Sequence, residues 1–175
     1  MGTGGLFLRK LRARVSEQPT GFVWVEKGKL AASGYPASRS QLEWLVAQGI
    51  NSILTLTPEP LPQEWVEGLS LQVEHLPMVD HRVPEVGSLD RGASFVQSQV
   101  NGGKTVLVHC LAGEGRTGCV LVAYLVRDRA IGVAEALEIL RDIKPRFVEW
   151  AQEKSLLEYQ SSLLSGDLMR VSGPN

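Results

Sequence analysis

Residues 105–118 read TVLVHCLAGEGRTG and decide the fold of this chain. An apolar run ends in His109 and Cys110, a glycine-rich turn follows, and a second apolar run begins at Thr117. A continuous apolar strand is typical of a sheet that is covered on both faces. The second run, over 116–130, is apolar nearly all round, which predicts a buried helix. The stretch therefore predicts a strand, a tight turn and a buried helix.

The sequence on either side predicts alternating strands and helices. Periodicity, glycine stops and a Ser38 helix cap define the elements. They are a hairpin over 21–33, strands over 51–56, 69–78 and 104–109, and helices over 39–48, 88–101, 116–130, 133–143 and 149–164. This order predicts an α/β fold with a central, mostly parallel sheet of four to five strands flanked by helices.

Length and composition exclude several classes of protein. At 175 residues the chain is long enough for one domain with a real core. A formal net charge of -1 argues against a general nucleic-acid or anionic-membrane binder. Two cysteines are too few for a disulfide scaffold, and no run of about 18 apolar residues suggests a membrane span. We therefore expect a cytoplasmic monomer that binds no nucleic acid.

The chain divides into three parts by composition. Residues 1–19 are a basic N-terminal segment, which the sequence leaves open as a flexible tail, a transit peptide or an amphipathic surface helix. Residues 20–165 form the predicted globular domain, and residues 166–175 a frayed tail. We find no internal repeat and no low-complexity linker.

The glycines of the turn fit two kinds of phosphate loop. Gly113, Gly115 and Gly118 spell G-x-G-x-x-G between a strand and a helix, which is the dinucleotide fingerprint. That fingerprint belongs on a first strand, and an acid should end another strand about 20 residues later. Here the strand is a late one, helices follow it, and the dinucleotide interpretation leaves Cys110 and Arg116 without a role.

The second interpretation starts from Cys110, which is followed by five residues and then Arg116. A glycine-rich turn points successive backbone N–H groups inward, and the following helix adds its positive end. Arg116 can hold an oxyanion with two parallel hydrogen bonds. The same positive potential favours a thiolate at Cys110, and Thr117 is placed to hydrogen-bond the sulfur. The turn is thus predicted to bind a tetrahedral anion beside a nucleophile.

The extended motif VHCLAGEGRTG, residues 108–118, resembles the signature of the cysteine-dependent protein tyrosine phosphatase superfamily. Three more stretches resemble its small atypical dual-specificity members, the compact single-domain forms of archaea and vertebrates. They are GFVWVEKGKLAASGYP (21–36), HLPMVDHRVP (75–84) and IKPRFVEWAQEK (143–154). The likeness extends from about residue 20 to residue 162, which implies that the domain over 20–165 is a phosphatase catalytic domain.

The resemblance implies an active site. Cys110 matches the nucleophile, which forms a phosphocysteine intermediate. Arg116 matches the residue that clamps the phosphate and stabilises charge in the transition state. Asp80, 30 residues before Cys110 on a separate loop, matches the general acid and base. The phosphate would bind backbone N–H groups of Leu111, Ala112, Gly113, Glu114, Gly115 and Arg116.

Supporting residues follow from the same resemblance. His109 would orient the loop through hydrogen bonds. Gln152 matches a glutamine that places the attacking water, and Glu59 an acidic residue near the pocket rim. The family's chemistry needs no metal, and no ligand cluster has metal spacing, so we expect no cofactor.

The remaining polar residues receive structural interpretations. Cys119 is read as a core residue, His75 as structural, and His81 as an exposed loop residue beside Asp80. Asp90 is expected to face solvent on a helix. Arg82 and Arg146 are surface charges that could line the pocket mouth, and the four tryptophans are read as packing residues.

Glu114 departs from the family pattern and bears on the substrate. A carboxylate in the loop disfavours polyphosphates, so phosphoinositides and RNA triphosphate ends fit poorly. No insertion in the sequence would deepen the pocket, which favours phosphoserine and phosphothreonine as well as phosphotyrosine. The sequence thus predicts a metal-independent dual-specificity protein phosphatase. Alternatives are a phosphatase of a small phosphometabolite, lipid or RNA end, and a non-catalytic phosphate-binding module.

Overall fold

The computed structural model describes residues 17–166. The predicted basic segment lies almost entirely outside these residues, and so does nearly all of the predicted tail. The boundaries drawn at 19 and 165 remain predictions.

Strands and helices alternate through the first two thirds of the chain. The strands are β1 (Val23–Glu26), β2 (Leu30–Ser33), β3 (Ser52–Thr55), β4 (Gln72–His75) and β5 (Val106–His109). The helices are α1 (Arg39–Ala47), α2 (Gln63–Val66), α3 (Val86–Asn101), α4 (Gly115–Arg129), α5 (Val133–Ile143), a 3₁₀ turn (Trp150–Gln152) and α6 (Glu153–Ser165). The Ser38 side chain caps α1 by accepting from the backbone N–H of Gln41, as the sequence predicts.

The five strands form one sheet in the order β1-β2-β5-β3-β4. β1 and β2 pair antiparallel as the expected hairpin, whereas β2, β5, β3 and β4 are parallel neighbours. The prediction of a mostly parallel α/β sheet is confirmed. Because β5 is the central strand, the turn that follows it lies at the middle of the carboxyl edge, where open α/β sheets bind ligands.

Side chains of β5 alternate between two cores. Val106 and Val108 face the larger core, which contains α3, α4, α5 and α6, whereas Leu107 faces the smaller core against α1. Strands buried on both faces give the continuous apolar run seen in the sequence. Burying one such side chain contributes about 1.5–3 kcal/mol, so this strand anchors the turn after it firmly.

α4 is the central helix of the larger core. Every residue from Gly115 to Val126 is buried, which confirms the prediction from its all-round apolar sequence. Its N-terminus follows directly from the turn at the end of β5, so the turn is held between a fully buried strand and the most buried helix. Between residues 17 and 166, no helix has both the length and the apolar character needed to cross a membrane.

Candidate active site

The turn after β5 is bonded to both neighbouring strands. The carbonyl of His109 accepts a 2.9 Å hydrogen bond from the N–H of Leu56, which follows β3. The carbonyl of Leu111 accepts a 3.1 Å bond from the N–H of Tyr35, which follows β2. Cys110 lies between these contacts and is only 2% exposed. The predicted nucleophile therefore lies in a rigid part of the molecule, just before the N-terminus of α4.

Packing explains each glycine of the G-x-G-x-x-G pattern. Gly113 has a φ of +68°, and a Cβ there would lie 2.2 Å from the carbonyl oxygen of Ser33. A Cβ at Gly115 would lie 2.9 Å from Oε1 of Gln152, and one at Gly118 would lie 2.7 Å from the backbone nitrogen of Val148. The glycines let the turn approach β2 and the segment before α6. The dinucleotide interpretation is not needed to account for them.

Arg116 is buried in the first turn of α4 and reaches across to three acceptors. Its Nη1 donates to the carbonyls of Met78, at 3.1 Å, and Leu56, at 3.4 Å. Its Nη2 lies 2.8 Å from Oδ1 of Asp80. The guanidinium therefore joins α4 to the ends of β3 and β4, and it brings the predicted acid to the predicted anion loop.

Two buried polar atoms in this loop have no partner within the described residues. They are Nε of Arg116 and Oγ1 of Thr117. An unpaired buried polar group costs about 1–3 kcal/mol, so it marks a position where a ligand or water is expected. Their location agrees with the predicted roles of Arg116 in anion binding and of Thr117 beside the sulfur.

Asp80 lies on the loop between β4 and α3, called here the acid loop (residues 76–85). Its side chain is 41% exposed, so it can reach both Arg116 and an incoming ligand. The next residue, His81, has a φ of +52°. A non-glycine residue in this region costs about 1 kcal/mol or more, and such strain persists only where the surroundings hold it. Here Nδ1 of His81 lies 2.9 Å from Oε1 of Glu149.

His109 is fully buried and hydrogen-bonded through both ring nitrogens. Nε2 lies 2.9 Å from Oγ1 of Thr55, and Nδ1 lies 3.4 Å from the backbone carbonyl of Cys110. Since a carbonyl only accepts, Nδ1 carries the proton and Nε2 accepts from the threonine hydroxyl. Burial lowers the pKa of His109 to about 4. The ring is therefore neutral and fits the predicted role of orienting the loop.

Gln152 is buried against the start of α4. Its Oε1 accepts from the thiol of Cys119 at 3.4 Å and from the N–H of Glu149 at 3.1 Å. Its Nε2 donates to the carbonyl of Arg82 at 3.2 Å. Burial raises the pKa of the Cys119 thiol, which supports its interpretation as a core residue. Gln152 links α4, the acid loop and the segment before α6, and its predicted role toward water remains a prediction.

The side chain of Glu114 is paired with two cations. Its carboxylate lies 3.4 Å from Nε of Arg146 and 3.9 Å from Nζ of Lys144. Lys144 also donates a 2.8 Å hydrogen bond to the carbonyl of Gly113. The negative charge of Glu114 is thus balanced locally, and the expectation that Arg146 lines the pocket mouth stays a prediction.

Some sequence interpretations change. Asp90 was expected to face solvent, but its side chain is only 15% exposed and pairs with Arg127 of α4. The interpretation was wrong because this face of α3 packs against α4, not against water. His81 is 77% exposed as expected, yet it is engaged by Glu149. Glu59 is exposed beside Tyr35, whose pKa is raised mainly by burial and further by that carboxylate.

Sequence reasoning missed Glu149 and Lys144. Glu149 and Gln152 form a reciprocal capping box at the 3₁₀ turn, and their spacing, E-x-x-Q, is visible in the sequence. Lys144 carries no comparable signal, because its contact with the loop depends on where α5 ends.

Comparison with known families identifies the class of protein. A family model described as "PTP-SAK: Swiss Army Knife protein, DSP-PTPase phosphatase domain" matches residues 19–156. The chain belongs to this family, and its domain is that of a cysteine-based phosphatase. The resemblance to small dual-specificity phosphatases is confirmed.

Characterised relatives fall into two substrate groups. Dual specificity protein phosphatase 1 of Homo sapiens is 30% identical over 138 residues, which cover 76% of this chain and 35% of the human protein. Phosphatidylglycerophosphate phosphatase PTPMT2 of Arabidopsis thaliana is 29% identical over 149 residues, which cover 81% of this chain and 64% of the plant protein. The chain thus spans about a third to two thirds of these relatives.

Solved structures support the same fold. Tk-PTP in its active form is 30% identical, with a TM-score of 0.72, covering 80% of this chain and 96% of that one. PTPMT1 in complex with PI(5)P superposes with a TM-score of 0.73 at 19% identity, covering 83% and 98%. At that identity the second likeness concerns the fold alone.

Proposed function

We propose that the protein hydrolyses phosphate monoesters on proteins, accepting phosphotyrosine and also phosphoserine and phosphothreonine, through a phosphocysteine intermediate. One observation carries the proposal. The carboxylate of Asp80, from a separate loop, lies 2.8 Å from the guanidinium of Arg116, within the loop that contains Cys110. An acid, an anion clamp and a buried thiol at one sheet edge form the set that this reaction requires.

In the first step the Cys110 thiolate attacks phosphorus, and the bond from phosphorus to the ester oxygen breaks. Asp80, in its protonated form, gives its proton to the leaving oxygen. Arg116 and the backbone N–H groups of the turn hold the equatorial oxygens, whose charge is greatest in the transition state. The products of this step are the free alcohol and phosphocysteine.

In the second step water attacks the phosphocysteine. The Asp80 carboxylate takes the proton from water, and the sulfur leaves as a thiolate that Thr117 can hydrogen-bond. Inorganic phosphate is released, and both residues return to their starting states. Every proton in the proposed cycle is accounted for by Asp80 and water, and none of its steps calls on a metal.

The local balance of charge admits a phosphoprotein substrate that places a single phosphate group in the loop. Because Lys144 and Arg146 neutralise Glu114, the loop does not repel a single phosphate group as a free carboxylate would. Relatives that act on phosphoproteins, such as human dual specificity protein phosphatase 1, support the same choice. Phosphorylated proteins are therefore the proposed partners.

A second candidate is a phospholipid monoester. Four large apolar side chains near the site are exposed: Val79 at 67%, Val83 at 48%, Leu111 at 50% and Trp150 at 86%. An apolar rim suits a substrate presented at a lipid surface. The likeness to a phosphatidylglycerophosphate phosphatase points the same way.

The test compares wild type with Cys110→Ser and Asp80→Asn on 4-nitrophenyl phosphate in the presence of EDTA. We expect turnover by wild type, none by Cys110→Ser, and a loss of about 100-fold or more in Asp80→Asn. No turnover by folded, reduced wild type would exclude the general phosphatase. Matched phosphotyrosine and phosphothreonine peptides against phosphatidylglycerophosphate in micelles then decide between the two substrates.

A further inference from the structure

The tip of the acid loop, residues 79–82, has little apolar packing to hold it. Val79 is 67% exposed, and the His81 side chain 77%. Three polar contacts attach this tip to the rest of the site. Asp80 pairs with Arg116, His81 bonds Glu149, and the carbonyl of Arg82 accepts from Gln152.

Substrate changes the balance of these contacts. A phosphate bound in the loop engages the Arg116 guanidinium, which Asp80 occupies in the free protein. Asp80 must then be held over the ester oxygen by something other than that ion pair. The two remaining contacts run from the residues directly after Asp80 to the segment 149–152.

That segment is itself fixed to the catalytic helix. A Cβ at Gly115 would lie 3.1 Å from Oε1 of Glu149, so this carboxylate rests on the first residue of α4. The capping box anchors Glu149 through its backbone and its side chain. The Glu149 carboxylate is therefore a hydrogen-bond acceptor whose position is fixed relative to the anion loop.

The backbone conformation at His81 places its imidazole within hydrogen-bond distance of Glu149. Its φ of +52° turns the chain at the tip, and Oδ1 of Asp80 accepts from the backbone N–H of His81 at 3.2 Å. With Nδ1 bonded to Glu149, Nε2 lies 3.8 Å from Oδ2 of Asp80. The imidazole thus hydrogen-bonds a carboxylate that packs on α4, and the ring lies within ion-pair distance of the acid.

We propose that His81 and Glu149 form a latch that positions Asp80 for proton transfer to the leaving group. His81 is a positioning residue in this proposal, which rests on the proposed phosphatase function. The latch acts when a bound phosphate has replaced Asp80 at the Arg116 guanidinium. It then keeps the acid loop closed over the ester oxygen.

The variants are chosen to remove the latch and little else. Asparagine tolerates the left-handed backbone, so His81→Asn removes the ring without adding strain. Serine is a good N-cap but too short to reach His81, so Glu149→Ser keeps the capping interaction and removes the acceptor. Glu158→Gln on α6, whose ion pair is with Lys154, is the matched control.

The readout is kcat/KM for two aryl esters, since this constant reports the step in which the leaving group departs. Phenyl phosphate needs protonation of its leaving oxygen, whereas 2,4-dinitrophenyl phosphate has a leaving group that departs without it. We expect each latch variant to lose about 10-fold on phenyl phosphate and about 2-fold or less on the dinitrophenyl ester. The double variant should resemble either single variant, and Asp80→Asn should show the same pattern more strongly.

Other outcomes overturn the proposal. Equal losses on both esters, multiplied losses in the double variant, or no loss on phenyl phosphate would each reject the latch while wild type remains active. Melting temperatures close to that of Glu158→Gln exclude misfolding as the cause of a loss. A wild type inactive on both esters would reject the phosphatase function, and the latch with it.

Discussion

The carboxylate of Asp80 lies 2.8 Å from the guanidinium of Arg116, across 36 residues of sequence. In the free protein the strongest anion-binding side chain of the loop is therefore already paired with an internal anion. A substrate phosphate must share or displace that carboxylate. The acid that serves turnover thus also competes with the bound anion.

Asp80→Asn should therefore bind anions more tightly while it turns over substrate more slowly. Removing a partly exposed negative charge near the loop is worth about 1 kcal/mol, or about five-fold in affinity. Loss of the acid should lower kcat by about 100-fold or more. Inhibition constants for inorganic phosphate and vanadate check the tighter anion binding, and kcat measured on the same variant checks the slower turnover. Weaker phosphate binding in Asp80→Asn would contradict the competition.

His109 should make the protein less stable in acid. Its pKa is about 4 in the folded state, against 6.5 for an ordinary histidine. Between these values the unfolded chain binds a proton that the native chain does not, so stability falls as pH drops from 6.5 to about 4. The contribution is about 3 kcal/mol at most, on the order expected from the shift.

Denaturant titrations between pH 4 and 7 measure this effect. His109→Asn removes the titrating ring and should show a shallower dependence of the unfolding free energy on pH. Thr55→Val keeps the ring and removes only its 2.9 Å hydrogen bond, so it should retain the steeper dependence at a lower overall stability. Identical slopes for wild type and His109→Asn would show that His109 does not control acid sensitivity.

Gly113→Ala should lower kcat/KM strongly, whereas Gly103→Ala should leave it nearly unchanged. Both glycines have positive φ, +68° at Gly113 and +77° at Gly103, so both substitutions strain the backbone by about 1 kcal/mol. Only at Gly113 does the added Cβ meet backbone, 2.2 Å from the carbonyl oxygen of Ser33. The loop must move there, and displaced anion donors cost about 100-fold or more in kcat/KM. Equal kcat/KM for the two folded variants would contradict this.

Glu114→Gln should shift preference toward substrates that carry extra negative charge. The substitution leaves Arg146 and Lys144 without their carboxylate partner beside the anion loop. We expect kcat/KM for an acidic phosphopeptide to rise about three-fold at low salt, and the gain to vanish at high salt. Arg146→Gln removes a positive charge and should lower kcat/KM for the same acidic phosphopeptide. A salt-independent gain would point to altered loop geometry instead.

The sequence predicts much of this architecture because its strongest elements are locally encoded. The apolar run before Cys110 could only be a buried strand, and the Ser38 cap and glycine stops delimit α1. The structure adds what depends on tertiary contacts. The chain after Pro145 was predicted as a single helix from residue 149, yet it begins with the 3₁₀ turn Trp150–Gln152. Burial of Gln152 against α4 accounts for that difference.

The candidate site shows the same division. Cys110 and Arg116 are fixed by one short motif, so their proximity follows from the turn itself. Asp80 could be chosen only by resemblance, since its contact with Arg116 depends on the path of the acid loop. The contact of His81 with Glu149 joins residues 68 positions apart, and no motif or hydrophobic periodicity in the sequence indicates it. Only the assembled fold brings these two residues together.

Trp150 is a fluorescent side chain next to Glu149 in the segment before α6. The interpretation of Trp150 as a packing residue was wrong, because it is 86% exposed. Trp24, Trp44 and Trp65 instead pack partly buried beside the smaller core, on the other face of the sheet. A water-soluble fluorescence quencher will therefore reach Trp150 first. We expect quenching in the unlabelled protein to report first on this edge of the domain.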